Sequence, residues 1–417
     1  MRPFRVRSLG RFSAFLGCAL AGVPAFTPTA HAGFHLQGYG FLLPNAVLSS
    51  QGLESFSQPN SSAYTAALNP AFRKSQADSM LTWQVAQSRM GIKILEEEGA
   101  AASPGAQTSD THASGALEFD FIDFSRSSPT TTSLPRLRRA YVHLKTDSGW
   151  DFQLGQDWDL ISPLAPFTYN FVGHYFEGGD IAFMRIQAMA ILSHGHWESG
   201  FALGMPNQNS TSSATGIENG KWPTLAWRET FTGLADHKFG FSVLAAAIEP
   251  AASDPARILG GAFTLFAEGK EGSTQWVTEA YVGQNTANLG MQGLSFGDRN
   301  RPRMREAGAY VSARTQVGTA SRIFGGLGGA WMLNPAEMLP SYTRSGGVAV
   351  LNSPFTGPGL ERNVTARIGL DHEIKSGLLG FAELAYLAST HHLLNTDTGL
   401  VPHQTAWVLN SGLVLNF

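Results

Sequence analysis

A two-residue alternation of polar and apolar side chains, renewed about sixteen times between turns, constrains this 417-residue chain more than any other feature. In RLRRAYVHLKT, Arg139, Tyr141, His143 and Lys145 alternate with Ala140, Val142 and Leu144. Such a strand wets one face and leaves the other small and apolar. The pattern predicts strands near Phe34–Val47, Leu81–Leu95, Gly115–Phe124, Arg136–Thr146, Trp150–Leu160, Asp180–Leu192, Trp197–Met205 and Thr224–Thr232. A second set is expected near Lys238–Ile248, Ile258–Ala267, Thr274–Asn285, Met304–Val317, Arg322–Leu333, Asn363–Lys375, Leu378–Ser389 and Thr405–Phe417.

The connections sort by parity. Tight-turn chemistry occupies Asp147–Gly149, His194–His196, Leu234–Asp236, Gly269–Gly272, Gly318–Ala320 and Ser376–Gly377. Long loops occupy Ser49–Met80, Ser125–Pro135, Ser162–Gly179, Pro206–Pro223, Glu249–Arg257, Leu289–Arg303, Asn334–Arg362 and His391–Gln404. One connection breaks the sorting, because Glu96–Ser114 is long where a short turn is due. Short turns on one side and long loops on the other are the signature of an all-β, transmembrane antiparallel β-barrel. An even strand count brings both ends to the same side.

Behind the N-terminal leader no apolar run approaches the roughly eighteen residues of a spanning helix. A chain of this kind crosses hydrocarbon only as a closed barrel, in which every backbone group is paired internally. A mean hydropathy of −0.07 with 46 glycines agrees with one greasy and one aqueous face. It agrees equally with a secreted all-β binding protein or adhesin, so that reading stays open here.

Residues 1–32 read as a cleaved signal peptide. Arg2, Arg5, Arg7 and Arg11 precede the apolar run Phe12–Val23, and Ala30-His31-Ala32 is a small-residue site with the cut after Ala32. Cys18 also permits a lipoprotein signal, but Phe15-Leu16-Gly17 matches one poorly. Residues 33–417 then form the barrel domain. Cys18 is the single cysteine, so the mature chain is expected to hold no disulfide and no thiol chemistry. Without the four leader arginines the 29 basic residues become 25 against 32 acidic ones, a formal charge of −7. An exported, mildly acidic chain is no nucleic-acid binder.

The last strand, TAWVLNSGLVLNF, sets Trp407, Leu409, Leu413, Leu415 and Phe417 on one face and Asn410, Gly412 and Asn416 on the other. As a bare edge it would invite aggregation, whereas a barrel pairs its last strand with its first. Phe417 is therefore the expected point of closure.

With these strands in place the chain resembles a known family. The terminal strand, QSRMGIKI at Gln87–Ile94, GALEFDF at Gly115–Phe121, RLRRAYVHL at Arg136–Leu144 and GQDW at Gly155–Trp158 look like the trimeric general and dicarboxylate-type porins of Gram-negative outer membranes. The resemblance spans nearly the whole mature chain and rests on the order of short motifs. It implies an outer-membrane channel of sixteen strands passing small hydrophilic solutes and ions by diffusion, with no cofactor or metal and no enzymatic activity. The implied partners are a homotrimer, outer-membrane lipids and lipopolysaccharide, and the barrel-assembly machinery.

The resemblance also implies that the loop after the fifth strand, Ser162–Gly179, folds inward as a constriction. Pro163, Pro166, Gly173, Gly178 and Gly179 let it bend back, and Phe167, Tyr169, Phe171, Tyr175 and Phe176 offer rings to pack on the wall. Glu177 and Asp180 would bring acid to the lumen. Opposite them the resemblance implies a basic ladder. Arg89 is in phase with Gln87 and Lys93, Arg139 with Tyr141 and His143, and Arg185 with Phe183 and Gln187. A charge facing lipid at the midplane costs roughly 2–4 kcal/mol, which places these arginines inside. Arg228, Arg314, Arg367, Asp371, Glu373 and Glu383 are further lumen candidates of mixed sign.

Three enzyme-like signals are weaker. Gly293-Leu294-Ser295-Phe296-Gly297 matches G-x-S-x-G but lies in a loop with no helix after it. His194-Gly195-His196 lacks a third metal ligand nearby, and Glu96-Glu97-Glu98 reads as a charged strand end. The rival from another class, a barrel enzyme of the outer-membrane lipase type, needs a Ser/His/acid set at one rim, and the sequence assembles none.

Overall fold

The computed structural model describes residues 33–51, 79–96, 111–122, 134–170, 178–205, 222–248, 258–289, 291, 303–335, 341–345, 348–352, 360–391 and 403–417. The leader, residues 1–32, lies outside the described residues, as do 97–110 of the long connection after Glu96.

Sixteen antiparallel strands form a closed barrel. In chain order they are β1 (Phe34–Leu42, resuming as Asn45–Ser49), β2 (Met80–Gln84, resuming as Arg89–Glu96), β3 (Thr111–Asp120), β4 (Arg136–Thr146), β5 (Trp150–Trp158), β6 (Met184–His194), β7 (Trp197–Gly204) and β8 (Thr224–Leu234). They continue as β9 (His237–Ile248), β10 (Ile258–Glu271), β11 (Thr274–Gln284), β12 (Arg305–Val317), β13 (Ser321–Met332), β14 (Leu360–Lys375), β15 (Leu378–His391) and β16 (His403–Asn416). Each pairs with the next, and β16 returns to β1. A separate hairpin, Ser341–Ser345 with Val348–Asn352, falls in sequence between β13 and β14.

The alternation sorts the side chains by face. Leu154, Leu225, Leu259 and Ile368 stand exposed on the outside, while Ser242, Thr264, Glu279, Ser312, Asp371 and Glu383 are buried on the inside. This is a soluble sheet turned inside out. An apolar collar running round the whole molecule is far larger than the patches a soluble monomer tolerates, and it matches a hydrocarbon surround. The tight turns gather at one rim. Gly195 takes φ 59° in the turn between β6 and β7, and Asp236 takes φ 60° between β8 and β9, a left-handed conformation few side chains accept.

Two predicted strands are broken. β1 stops at Leu43-Pro44, where proline has no N–H to donate, yet the register survives: Leu42 pairs with Leu415 and Asn45 with Gly412. β2 opens between Val85 and Ser88, whose N–H donates to the Val85 carbonyl at 3.0 Å while its hydroxyl accepts the Leu43 N–H at 2.9 Å. The third strand was expected over Gly115–Phe124 and runs four residues earlier at both ends. Its pairing with β4 also slips: Glu118 faces Arg139, but Phe119 faces Leu137, so Arg138 is one residue too many. This is a β-bulge. Gln156 of β5 caps it, donating to the carbonyls of Leu137 at 3.0 Å and Arg138 at 2.8 Å.

The seam closes at Phe417. Phe417 N–H donates to the Gly40 carbonyl at 3.1 Å, and Gly40 N–H donates back at 3.0 Å. No side chain fits at Gly40, because a Cβ there would lie 2.3 Å from the Arg89 carbonyl oxygen and 2.9 Å from the Phe417 ring. Deleting Phe417, or making Gly40→Val, is therefore expected to lower the yield of folded barrel while molecules that do fold conduct normally. Heat-modifiable gel mobility of membrane fractions measures this, and a wild-type yield from both variants would show that the seam does not depend on this contact.

Candidate functional site

Between β5 and β6 the described residues 159–170 and 178–183 lie inside the barrel, held by side chains of the opposite wall. Leaving Trp158, the chain bonds Asp159 N–H to the Phe183 carbonyl at 2.9 Å, and the Ile161 carbonyl accepts the Ser242 hydroxyl of β9 at 2.6 Å. Glu279 of β11 accepts the Leu164 N–H at 2.8 Å and the Ser162 hydroxyl. Ser312 of β12 accepts the Phe167 N–H at 3.0 Å. Glu383 of β15 accepts both the Thr168 hydroxyl and the Tyr169 N–H at 2.8 Å, and is itself paired with Arg367. Asn170 then meets Gln87, in the break of β2, at 3.3 Å.

Rings reinforce these bonds. Tyr169 stacks on Phe381 with centroids 4.3 Å apart, meets Phe324 edge-on at 5.5 Å, and donates its hydroxyl to Asp371 at 3.0 Å. Burial and that carboxylate together push the Tyr169 phenol well above its ordinary range. Phe167 joins Leu164, Val277 and Tyr310, with the Arg314 guanidinium 4.6 Å from its ring centroid. Of the other loop residues named from sequence, Phe171, Tyr175, Phe176 and Glu177 lie outside the described residues.

Asp180 is buried where the loop returns. Its carboxylate accepts the Ala182 N–H at 2.8 Å and lies 3.2 Å from the Ser162 hydroxyl, so Ser162, with one hydrogen to give, stands between Asp180 and Glu279. Burial pushes the Asp180 carboxyl up to about 7 against those two contacts. Burial likewise raises Asp159 to about 6, with Arg185 opposing it.

The three arginines named from sequence occupy different settings. Arg89 borders a cavity of about 380 Å³ between loop and wall, shared with Asp157, Asn170, Asp180 and Arg228. Its guanidinium lies 5.6 Å from the Phe41 ring centroid. Arg139 makes a two-pronged pair with Asp157, at 2.6 and 3.0 Å. Arg185 is walled in, donating to Asp159 at 3.3 Å and to the carbonyls of Met205 at 2.5 Å and Leu289 at 2.8 Å. Two further arginines were missed. The bulge turns Arg138 inward, where it binds Glu118 at 2.8 Å and Asp120 at 3.1 Å, and Arg136 also binds Asp120, at 2.8 Å. A second cavity of about 610 Å³ opens between Pro163, Leu164 and Phe167 of the loop and Lys238, Gln275 and Trp276 near the turn rim.

The structure also assembles a Ser/His/acid line that the sequence did not reveal. Ser114 of β3 meets His143 Nδ1 at 3.0 Å, and His143 Nε2 meets Asp151 of β5. The three residues lie on neighbouring strands at cross-strand positions, which no linear motif records. Ser114 is flanked by β2 and β4, so its own backbone groups serve the ladders.

No family model matches the sequence, and no curated protein matches it. Solved structures do. The outer membrane channel DcaP of Acinetobacter baumannii aligns with a TM-score of 0.67 at 13% identity, covering 95% of this chain and all of that one. The anion-selective porin from Comamonas acidovorans gives 0.58 at 11% identity, over 92% of this chain and all of that one. OmpT, an outer membrane protein of Vibrio cholerae, gives 0.52 at 14% identity, over 94% of this chain and all of that one. The chain has the porin fold. At these identities the likeness speaks for architecture, and in the porin-fold barrel described here the inward loop is a property of its own contacts.

The sign of the loop's pH dependence follows from Asp159 and Asp180. Their carboxyls bind protons more tightly docked than released, so docking is favoured at low pH and weakens as pH rises through about 6 to 7. The swing is on the order of a few kcal/mol. Single channels are expected to be quiet at pH 5 and to flicker at pH 8.5, with Asp180→Asn flickering less than the wild type at pH 8.5 and Asp159 supplying the remainder. Equal noise at the two values in the wild-type protein, or flicker undiminished in D180N, would exclude Asp180 as its source.

Proposed function

We propose that the chain is an outer-membrane channel through which small hydrophilic solutes and ions diffuse passively. The observation that carries this reading is the loop between β5 and β6, tied across a polar lumen to Glu279, Ser312 and Glu383 and leaving water-sized space beside Arg89 and Arg228. A barrel greasy outside and polar inside, with a fixed obstacle in its bore, is built to pass solutes selected by size and charge. The same reading takes residues 1–32 as a cleaved signal peptide and the assembled form as a homotrimer. It takes lipopolysaccharide and the barrel-assembly machinery as further partners, and assigns no catalysis to the Ser114–His143–Asp151 line.

Within this reading Ser162–Gly179 is the constriction, with Phe167, Tyr169 and Asp180 among its anchors. The arginines on the inner wall form its basic side, and those bordering the open cavity set selectivity. Arg89 and Arg228 border it, Arg228 also pairing with Glu198 at 3.2 Å, whereas Arg139 and Arg185, each paired with a carboxylate, stand outside its lining. Replacing the first pair by glutamine is expected to move the reversal potential toward cations. The shift grows as salt is lowered, since charges are screened over about 10 Å at 0.1 M and about 30 Å at 0.01 M. An unchanged reversal potential at 0.01 M would exclude them as selectivity residues.

Planar-bilayer conductance of the purified protein tests the function itself. Deleting Pro166–Glu177 is expected to raise single-channel conductance and admit larger sugars in liposome swelling, while a deletion of similar length within Asn334–Arg362 spares both. Folded protein without conductance would reject the channel. Wild-type conductance and size cutoff after the loop deletion would reject the constriction alone.

A further inference from the structure

One carboxylate stands on the wrong face of the wall. Glu229 of β8 shares its row with Leu225, Trp227 and Phe231, and Leu225 and Trp227 are exposed on the apolar exterior. Both of its oxygens are engaged: Trp227 Nε1–H donates to Oε1 at 2.9 Å, and the buried Ser199 hydroxyl of β7 donates to Oε2 at 2.8 Å. His194 Nε2 meets Ser199 Oγ in turn at 3.0 Å. Because the hydroxyl hydrogen is given to Glu229, the line is ordered to hold a carboxylate rather than to activate the serine. Two neutral donors leave its charge uncompensated.

The surroundings are aromatic. Phe241 of β9 is the cross-strand neighbour of Glu229 and meets Trp227 edge-on at 5.1 Å. Phe201 stacks against Trp227 on one side, and Trp197, Phe231 and Phe239 form a second row nearer the turns. A carboxylate among ring faces is the chemistry that recognises an ammonium group. Among the described residues, the arginines in outward rows, Arg305 and Arg362, stand at the long-loop ends of β12 and β14, so a second copy lying parallel in the same membrane brings neither to the depth of Glu229. Depth points to a headgroup. Ser199 and Glu229 lie three and five residues from the turns at His196 and Leu234, roughly 10 Å along the axis for tilted strands. That is the level where headgroups meet acyl chains. His196, in the turn below, offers a ring N–H to a phosphate.

We propose that Glu229, with Trp227, Phe231 and Phe241, forms an outward-facing site for the ammonium headgroup of a phospholipid such as phosphatidylethanolamine. The site rests on the barrel lying in a bilayer and is independent of what passes through the lumen. The test uses the full-length barrel, reconstituted in vesicles of equal phosphatidylethanolamine and phosphatidylglycerol, extracted in mild detergent and weighed by native mass spectrometry. The wild type is expected to retain about one phosphatidylethanolamine per chain in preference to phosphatidylglycerol. Glu229→Gln is expected to lower that preference about tenfold, and Trp227→Phe, which keeps a ring but loses the indole N–H, by less. Heat-modifiable mobility confirms that each variant is folded, and conductance from the same preparations separates this question from the channel reading. Equal retention of the two lipids by the wild type would overturn the site. So would an undiminished preference in E229Q, or a change of oligomeric state in E229Q with lipid retention intact, which would make the patch a protein contact.

Discussion

The structure depends on backbone hydrogen bonds having nowhere to go except the next strand. In hydrocarbon an unpaired N–H or carbonyl costs several kcal/mol, so a sheet there must close on itself. Closure is why Phe417 gives its backbone to Gly40, and why Pro44 is tolerated only where Leu42 and Asn45 hold the register against β16. It also fixes what can hold the interior together. With the apolar side chains spent on the outer face, anything packed in the lumen has to be secured mainly by polar contacts.

The inward loop shows that consequence. Glu279 and Glu383, on strands far from its origin, each accept a backbone N–H and a hydroxyl from it. A carboxylate can take several donors, so one side chain satisfies loop groups that would otherwise be stranded out of water. Rings then add what burial they can, as Tyr169 does against Phe381 and Phe324. The inner-wall charges obey the same economy, and Arg138, Glu118 and Asp120 are buried together as a hydrogen-bonded group. Removing one partner from such a group costs far more than the pair contributes.

The strand map was legible because period-two alternation is a local property, and all sixteen strands were found from it. Parity read straight along a strand fails where the strand slips. Arg139 was assigned inward from its alternation with Tyr141 and His143, but the bulge that brings Arg138 beside it is set by the partner strand, at Glu118 and Phe119. The loop's aromatic residues were visible, whereas the wall residues that bind it were only a scatter of acids until strands distant in sequence were set opposite one another. Glu229 was passed over for the opposite reason. It sits in a row with Leu225, Trp227 and Phe231, and its partner Ser199 becomes visible only across the β7–β8 pairing.

Glycine on the wall decides where the returning loop can run. The inward rows of β12 and β13 carry Gly308, Gly326 and Gly328. Opposite them the loop presents Gly179 at φ 117°, a backbone conformation side chains rarely adopt. A Cβ there would lie 2.2 Å from the Ala309 carbonyl oxygen and 3.2 Å from the Gly329 nitrogen, so loop and wall meet backbone to backbone. Neither surface has a side chain to fold away. The obstacle therefore lies flush where the wall is thinnest, and the bore is left to the charged rows of β2 and β8, where Arg89 and Arg228 border the remaining space.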